Sequence, residues 1–115
     1  MLRRVRPYLP EEVVAGPVRI DTQTRDVRVR GRRVRLSQKE YELLLRLARE
    51  PERVFTKAEL LNDVWEFRAS ARTRTLDSHA SRLRRKLRAA GTGGVVLVEN
   101  VWGVGYRLLG DLPES

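Results

Sequence analysis

The sequence predicts an α+β fold: an antiparallel sheet at the N-terminus, three helices in the middle and a β-hairpin at the C-terminus. Three observations carry this. Before residue 37, apolar residues alternate with arginine at a period of two, the mark of half-buried strands. Two helix-start signatures of one kind follow close together, at Ser37 and Thr56. Near the end, Gly103 and Gly105 separate two more apolar runs. At 115 residues the chain is the size of one small domain, and a second independent core does not fit.

Residues 1–11 contain Pro7 and Pro10 and no sustained period, so they read as a linker or the stub of a preceding element. The alternation begins at Val13. Val18 and Ile20 alternate with Arg19 and Asp21, Val27 and Val29 with Arg28 and Arg30, and Val34 and Leu36 with Arg33 and Arg35. These are strands with one Val/Ile/Leu face and one arginine face, and Gly31-Arg32 is expected as a hairpin turn. The apolar face needs cover, which helices supply. Ser37 and Glu40 form a capping box, with Leu36 and Tyr41 placed as its hydrophobic staple. Tyr41, Leu44, Leu45 and Ala48 then repeat at helical spacing, and Pro51 ends the run. Thr56 and Glu59 form a second box, stapled by Phe55 and Leu60, and Leu60, Leu61, Val64 and Trp65 line one side of that helix.

Residues 66–72 (EFRASAR) have no helical stripe and read as a loop. A third helix is expected over about 73–90, stopped by Gly91. Its apolar positions, Leu76, Ala80, Leu83 and Leu87, form one narrow stripe. Arg74, Ser78, Ser81, Arg82 and Arg85 fall opposite, and Thr75, His79, Arg84, Lys86 and Arg88 on the flanks. After the turn GTGG (91–94), residues 95–101 read as a strand and residues 106–109 as its return. Residues 111–115 are a polar tail.

Charge is the strongest compositional signal: 24 Lys+Arg against 15 Asp+Glu, net +9, with 21 of the bases arginine. It is concentrated. Residues 68–88 carry eight bases and a single acid, Asp77, whereas residues 36–67 and 89–115 are each net −2. A short basic block on a folded domain points to a polyanion partner, nucleic acid before membrane surface. Cysteine is absent, which excludes disulfides and thiolate chemistry, and one histidine, His79, excludes a histidine metal cage. No apolar run approaches the ~20 residues of a membrane span. Arg3, Arg4, Arg6, Pro7 and Pro10 interrupt any signal-peptide core. The expectation is a soluble, cytoplasmic domain or fragment without metal or cofactor. No Gly-rich phosphate loop and no catalytic carboxylate pair is present, so an enzyme is the remote alternative. His79 has no obvious acid to orient it and is expected to pack or to touch phosphate.

The third helix carries the functional reading. Ser78 and Ser81 allow close approach to base edges, and Arg74, Arg82 and Arg85 can reach guanine or phosphate. A helix about 10–12 Å across fits a major groove about 12 Å wide. The helix before it would pack across it in a helix-turn-helix arrangement. The alternative is an ordinary solvated basic helix. Against that, Arg82, Arg84, Arg85, Lys86 and Arg88 repel one another with one acid nearby.

LSQKEYELL (36–44), VFTKAELLNDVW (54–65), RTLDSHASRLRRKL (74–87) and VENVWGVGYRL (98–108) resemble the effector domain of OmpR/PhoB-type response regulators, over about residues 12–110. The resemblance implies a winged helix-turn-helix with a C-terminal hairpin wing. It implies sequence-specific double-stranded DNA binding for transcriptional regulation in a two-component phosphorelay. It also implies a phospho-acceptor receiver domain ahead of this one. MLRRVR is similar to the end of that receiver's last helix, so the chain is expected to be a cut-out effector domain.

Helix 73–90 matches the recognition helix, and Arg82 stands where the family has a base-reading arginine. Arg74 and His79 match phosphate-touching positions, as do Trp65, Asn100 and Tyr106. Thr75, Ser78, Arg85, Lys86 and Trp102 complete the expected DNA-binding set. The loop Glu66, Phe67, Arg68, Ala69, Ser70, Ala71 and Arg72 matches the loop that meets RNA polymerase. The wing, 98–108, would lie on the adjacent backbone or in the minor groove. Its motif often reads V-R-G-x-G-Y, with the arginine in the minor groove; here Trp102 replaces it and is expected to pack or to touch sugar-phosphate. The family implies a dimer on tandem half-sites and a monomer when isolated. The competing reading, a winged-helix module that meets a protein, would call for an apolar or acidic recognition face.

Overall fold

The computed structural model describes residues 11–65, 73–91 and 97–109. Four antiparallel strands come first: β1 (Glu12–Ala15), β2 (Val18–Asp21), β3 (Asp26–Val29) and β4 (Arg32–Arg33), paired in sequence order. The period-two pattern is realised. Val18, Ile20, Val27 and Val29 are buried, while Arg19 and Arg28 pair across the exposed face. Two details differ from expectation. The β3–β4 turn is Arg30-Gly31 rather than Gly31-Arg32. Val29 pairs with Arg32, and both turn residues have positive φ, 51° and 84°, as a two-residue hairpin turn matching the strand twist requires. The strand expected over 34–36 also stops early, at Arg33. The Val34 amide still donates to the Val27 carbonyl at 2.9 Å, but the chain then turns into the cap of the next helix, which leaves no length for pairing.

Helix α1 (Gln38–Ala48) begins at Ser37, whose hydroxyl accepts from the Glu40 amide while Glu40 accepts from the Ser37 amide at 2.9 Å. It buries Tyr41, Leu43, Leu44, Leu47 and Ala48, a wider arc than the stripe read from spacing, with Leu45 only half-buried. The arc is wide because α1 packs against both the first sheet and α3 (Thr73–Ala89). The second capping box, Thr56 with Glu59, starts α2 (Lys57–Leu60). The helix expected to run on to Trp65 continues instead as a π-turn over Leu61–Trp65. At that end the Lys39 ammonium donates to the Val64 carbonyl at 2.8 Å, where helix carbonyls lack intrahelical partners.

A second sheet holds β5 (Phe55–Thr56), β6 (Leu97–Val101) and β7 (Gly105–Leu109), in the order β5-β7-β6. The C-terminal hairpin is therefore part of a three-stranded sheet, with β7 in the middle, rather than a free ribbon. The α3 stripe of Leu76, Ala80, Leu83 and Leu87 is fully buried, in one cluster with Leu43, Leu44, Leu47, Phe55, Leu60 and Leu108. Each such leucine contributes ~1.5–3 kcal/mol through burial. Residues 1–10, 66–72, 92–96 and 110–115 lie outside the described residues, and with them the expected linker, the loop, the first residues of the 95–101 strand and the tail. Among the described residues, no helix is long and apolar enough to cross a membrane.

Candidate nucleic-acid interface

The charges of α3 fall into two sets. Those on its flanks are fastened to neighbouring elements. Lys86 Nζ lies 2.6 Å from Glu40 Oε1 on α1. Arg84 Nε donates to the Val98 carbonyl on β6 at 3.0 Å. Asp77 Oδ1 accepts from the Tyr106 hydroxyl on β7 at 2.6 Å and lies 3.2 Å from Lys57 Nζ at the start of α2. The outward set is Arg74, Arg82, Arg85 and Arg88, all exposed, with Ser81 exposed and Ser78 half-buried among them. Among the described residues none of these four guanidiniums has an ion-pair partner. Unpaired guanidiniums on one face repel one another until an anion reaches them, and each offers a planar fork that suits phosphate or a guanine edge.

Two expected contact residues also hold partners within the fold. Lys86, expected to bind DNA, is engaged by Glu40, which is 2% exposed. Burial raises the Glu40 pKa, but the hydrogen bond from Lys86, the Ser37 amide and the Lys86 charge outweigh it and hold the carboxyl below its ordinary value. Tyr106, expected to touch phosphate, is 4% exposed and its hydroxyl is committed to Asp77. Burial, then the Asp77 bond and charge, push its ionisation well above the ordinary phenol range. It anchors the wing from inside.

His79 lies on the flank of α3 toward Trp65. Its Nδ1 donates to the Thr75 carbonyl at 2.8 Å, and its ring stands edge-on to the indole, with centroids 5.1 Å apart at 69°. Both rings are partly exposed, as is Thr75, and together they brace the end of the π-turn against α3. Asn100 is exposed on β6, across from Tyr106.

At the wing tip the Val104 amide donates to the Val101 carbonyl at 2.9 Å, closing a turn with Gly103 at φ 75°. Trp102 occupies the outer corner and is 92% exposed, with Val104 at 47% beside it. Glycine at 105 has a different cause. A Cβ there would stand 1.8 Å from the Phe55 carbonyl oxygen, so only glycine lets β7 lie against β5. The tip carries no charge, and the first base beyond it, Arg107, bonds to Glu99 at 2.7 Å. Glu66–Arg72 lie outside the described residues. Lys57, Asp77 and Arg84 were not singled out by spacing as joints of the fold. The one available signal was that Asp77 is the lone acid of the basic block.

Against known proteins, the sequence profile of the family described as "Transcriptional regulatory protein, C terminal" matches residues 31–108. The chain belongs to this family, as an OmpR/PhoB-type effector domain. The effector domain is similar to transcriptional regulatory protein SrrA of Staphylococcus aureus, 36% identical over 101 residues, which cover 88% of this chain and 42% of SrrA. It thus spans less than half the length of the curated relatives it matches. Its fold is similar to the DNA-binding domain of response regulator AdeR, solved in complex with an intercistronic region, at 35% identity. That match covers 86% of this chain and 99% of that one, with a TM-score of 0.74. The Klebsiella pneumoniae RstA DNA-binding domain, solved in complex with RstA box, is 26% identical over 86% of the effector domain and 97% of that chain, with a TM-score of 0.75. DrrB, a Thermotoga maritima OmpR/PhoB homologue, is 30% identical over 86% and 44%, with a TM-score of 0.71. The fold is the winged helix-turn-helix: α2 with its π-turn, α3, and the β6–β7 wing.

Proposed function

We propose that this domain binds double-stranded DNA sequence-specifically to regulate transcription, as the effector part of a two-component response regulator. The observation that carries this is the unpaired arginine face of α3, beside Asp77, Arg84 and Lys86, which are engaged in the fold. The similarity to the AdeR and RstA DNA-binding domains supports the same reading. In this reading α3 enters the major groove. Arg82 reads a guanine edge, Arg74 and Arg85 reach phosphate or bases, and Thr75 and Ser78 line the approach. His79 and Trp65 meet the backbone beside the groove. Asn100 and Trp102 place the wing on the flanking strand. Loop 66–72 meets RNA polymerase. A receiver domain ahead of residue 12 supplies the pairing on tandem half-sites, so the isolated domain is a monomer, working in the cytoplasm.

Salt titration of duplex binding tests the electrostatic part. Neutralising about five phosphates gives a slope of log K against log salt of about −4 to −5. A slope near zero overturns the reading. Selection of bound duplexes from a random pool tests the sequence-specific part, and a pool that stays random after selection removes it.

A further inference from the structure

A carboxylate on a helix that faces phosphates is a liability unless it has other work, and Asp77 is the lone acid among the eight bases of residues 68–88. Both of its oxygens are engaged, and by two different elements. Oδ1 accepts from the Tyr106 hydroxyl at 2.6 Å, and Lys57 Nζ lies 3.2 Å from Oδ1 and 3.4 Å from Oδ2. The Lys57 ammonium also stands 5.9 Å from the Tyr106 ring centroid. Asp77 is on α3, Lys57 opens α2, and Tyr106 is on the wing strand β7, so one carboxylate joins the recognition helix, its supporting helix and the wing. The joint falls close to the tip of the wing: Tyr106 pairs with Asn100, and the next pair, Gly105 with Val101, carries the turn at 102–104, with Gly105 pressed on β5. A shift of Tyr106 against α3 therefore displaces the tip.

We propose that Asp77 is a positioning residue for DNA binding: it locks the wing to the recognition helix through Tyr106 and holds the Lys57 ammonium beside them. The proposal rests on the DNA-binding reading above. Asp77 touches no base. It makes α3 and the wing one rigid surface, so that a sequence read by the helix also sets where the wing lands. By neutralising Lys57 it also keeps one charge from strengthening binding to any sequence alike.

Two variants of the whole chain separate these roles. Asp77→Ala keeps a good helix former while releasing both partners. Tyr106→Phe removes only the hydroxyl and leaves Lys57 paired. The first measurement is free of DNA: backbone NMR order parameters of residues 101–105. They should lie near those of α3 in the native chain and drop in both variants, with order in the helices unchanged. The second is affinity for the best duplex and for random duplex at several salt concentrations. Both variants should lower the best-to-random ratio about ten-fold. Only Asp77→Ala should also bind random DNA more tightly, with a slope steeper by about one unit, as Lys57 becomes available to a phosphate. Equal losses on both duplexes with a lower melting temperature would reduce Asp77 to a structural residue and overturn the proposal. Unchanged wing order with native binding intact overturns it as well. A native chain that binds no duplex at all sinks the DNA reading itself, a distinct result visible before any variant is made.

Discussion

Lys86 Nζ and Glu40 Oε1 lie 2.6 Å apart, joining the last turn of α3 to the capping box that starts α1. Glu40 is the buried charged residue of the described core, and the Ser37 amide occupies the same carboxylate oxygen. One of the bases in the densest run of positive charge therefore holds helices together.

Replacing Lys86 by methionine should destabilise the domain by about 2–3 kcal/mol, because it strands a buried carboxylate with only one amide for company. Denaturant unfolding measures this. Site preference should not change, and a stability loss below about 0.5 kcal/mol would show that the pair contributes little.

The same pair sets an acid limit. The Glu40 carboxyl is held below its ordinary value of 4.5 in the folded chain, so on acidification the unfolded chain takes up the proton first. The stabilisation is thus fully present above about pH 4.5 and is lost as pH falls through the lowered folded value. Asp26, Glu42 and Glu59 are lowered too and add to the native acid loss. The informative comparison is therefore between native and Lys86→Met chains, and the variant should lose less on going from pH 6 to pH 3. Identical losses would place the acid sensitivity elsewhere.

Both capping boxes were legible because each is a four-residue device that closes on itself, and the α3 stripe was legible because burial of one helix face repeats locally. What spacing could not supply was the distant partner. Glu40 and Lys86 are 46 residues apart, so which of the crowded bases is paired does not show in the block itself. Strand β5 is two residues long and exists through Tyr106 and Gly105, which lie beyond two helices. The β3–β4 turn slipped by one because its first corner is Arg30, a side chain seldom found at positive φ. Arg82 at the surface and Lys86 in a joint have the same composition signal; only the packing of α1 on α3 tells them apart.

Arg82→Ala should cost roughly 1–3 kcal/mol on the best duplex and far less on random DNA, because a bidentate guanine contact discriminates while a phosphate contact does not. Competition binding on the two duplexes decides it. Equal losses would make Arg82 a phosphate ligand.

Trp102→Ala should weaken binding by a similar factor on every sequence and leave the salt slope unchanged, since the wing tip carries no charge to lose. Trp102→Arg should steepen the slope by about one unit and favour A·T-rich flanks, where the minor groove is narrow. Competition with A·T-rich and G·C-rich flanking DNA checks both. If the native chain already discriminated strongly between those flanks and Trp102→Ala abolished it, the indole would be a reader of groove shape rather than a rest on the backbone.

The solvent-facing guanidiniums of α3 give dissolved salt two opposite effects. In the free domain Arg82 and Arg85, three apart on one helix, and Arg85 and Arg88, again three apart, repel without a partner among the described residues. Added ions screen that repulsion and firm the helix by a few tenths of a kcal/mol. On a duplex the same ions compete for the phosphates and loosen the complex. The domain alone is therefore most relaxed in the dilute buffer where its DNA complex is tightest, and bound duplex stabilises the fold most where the fold needs it most.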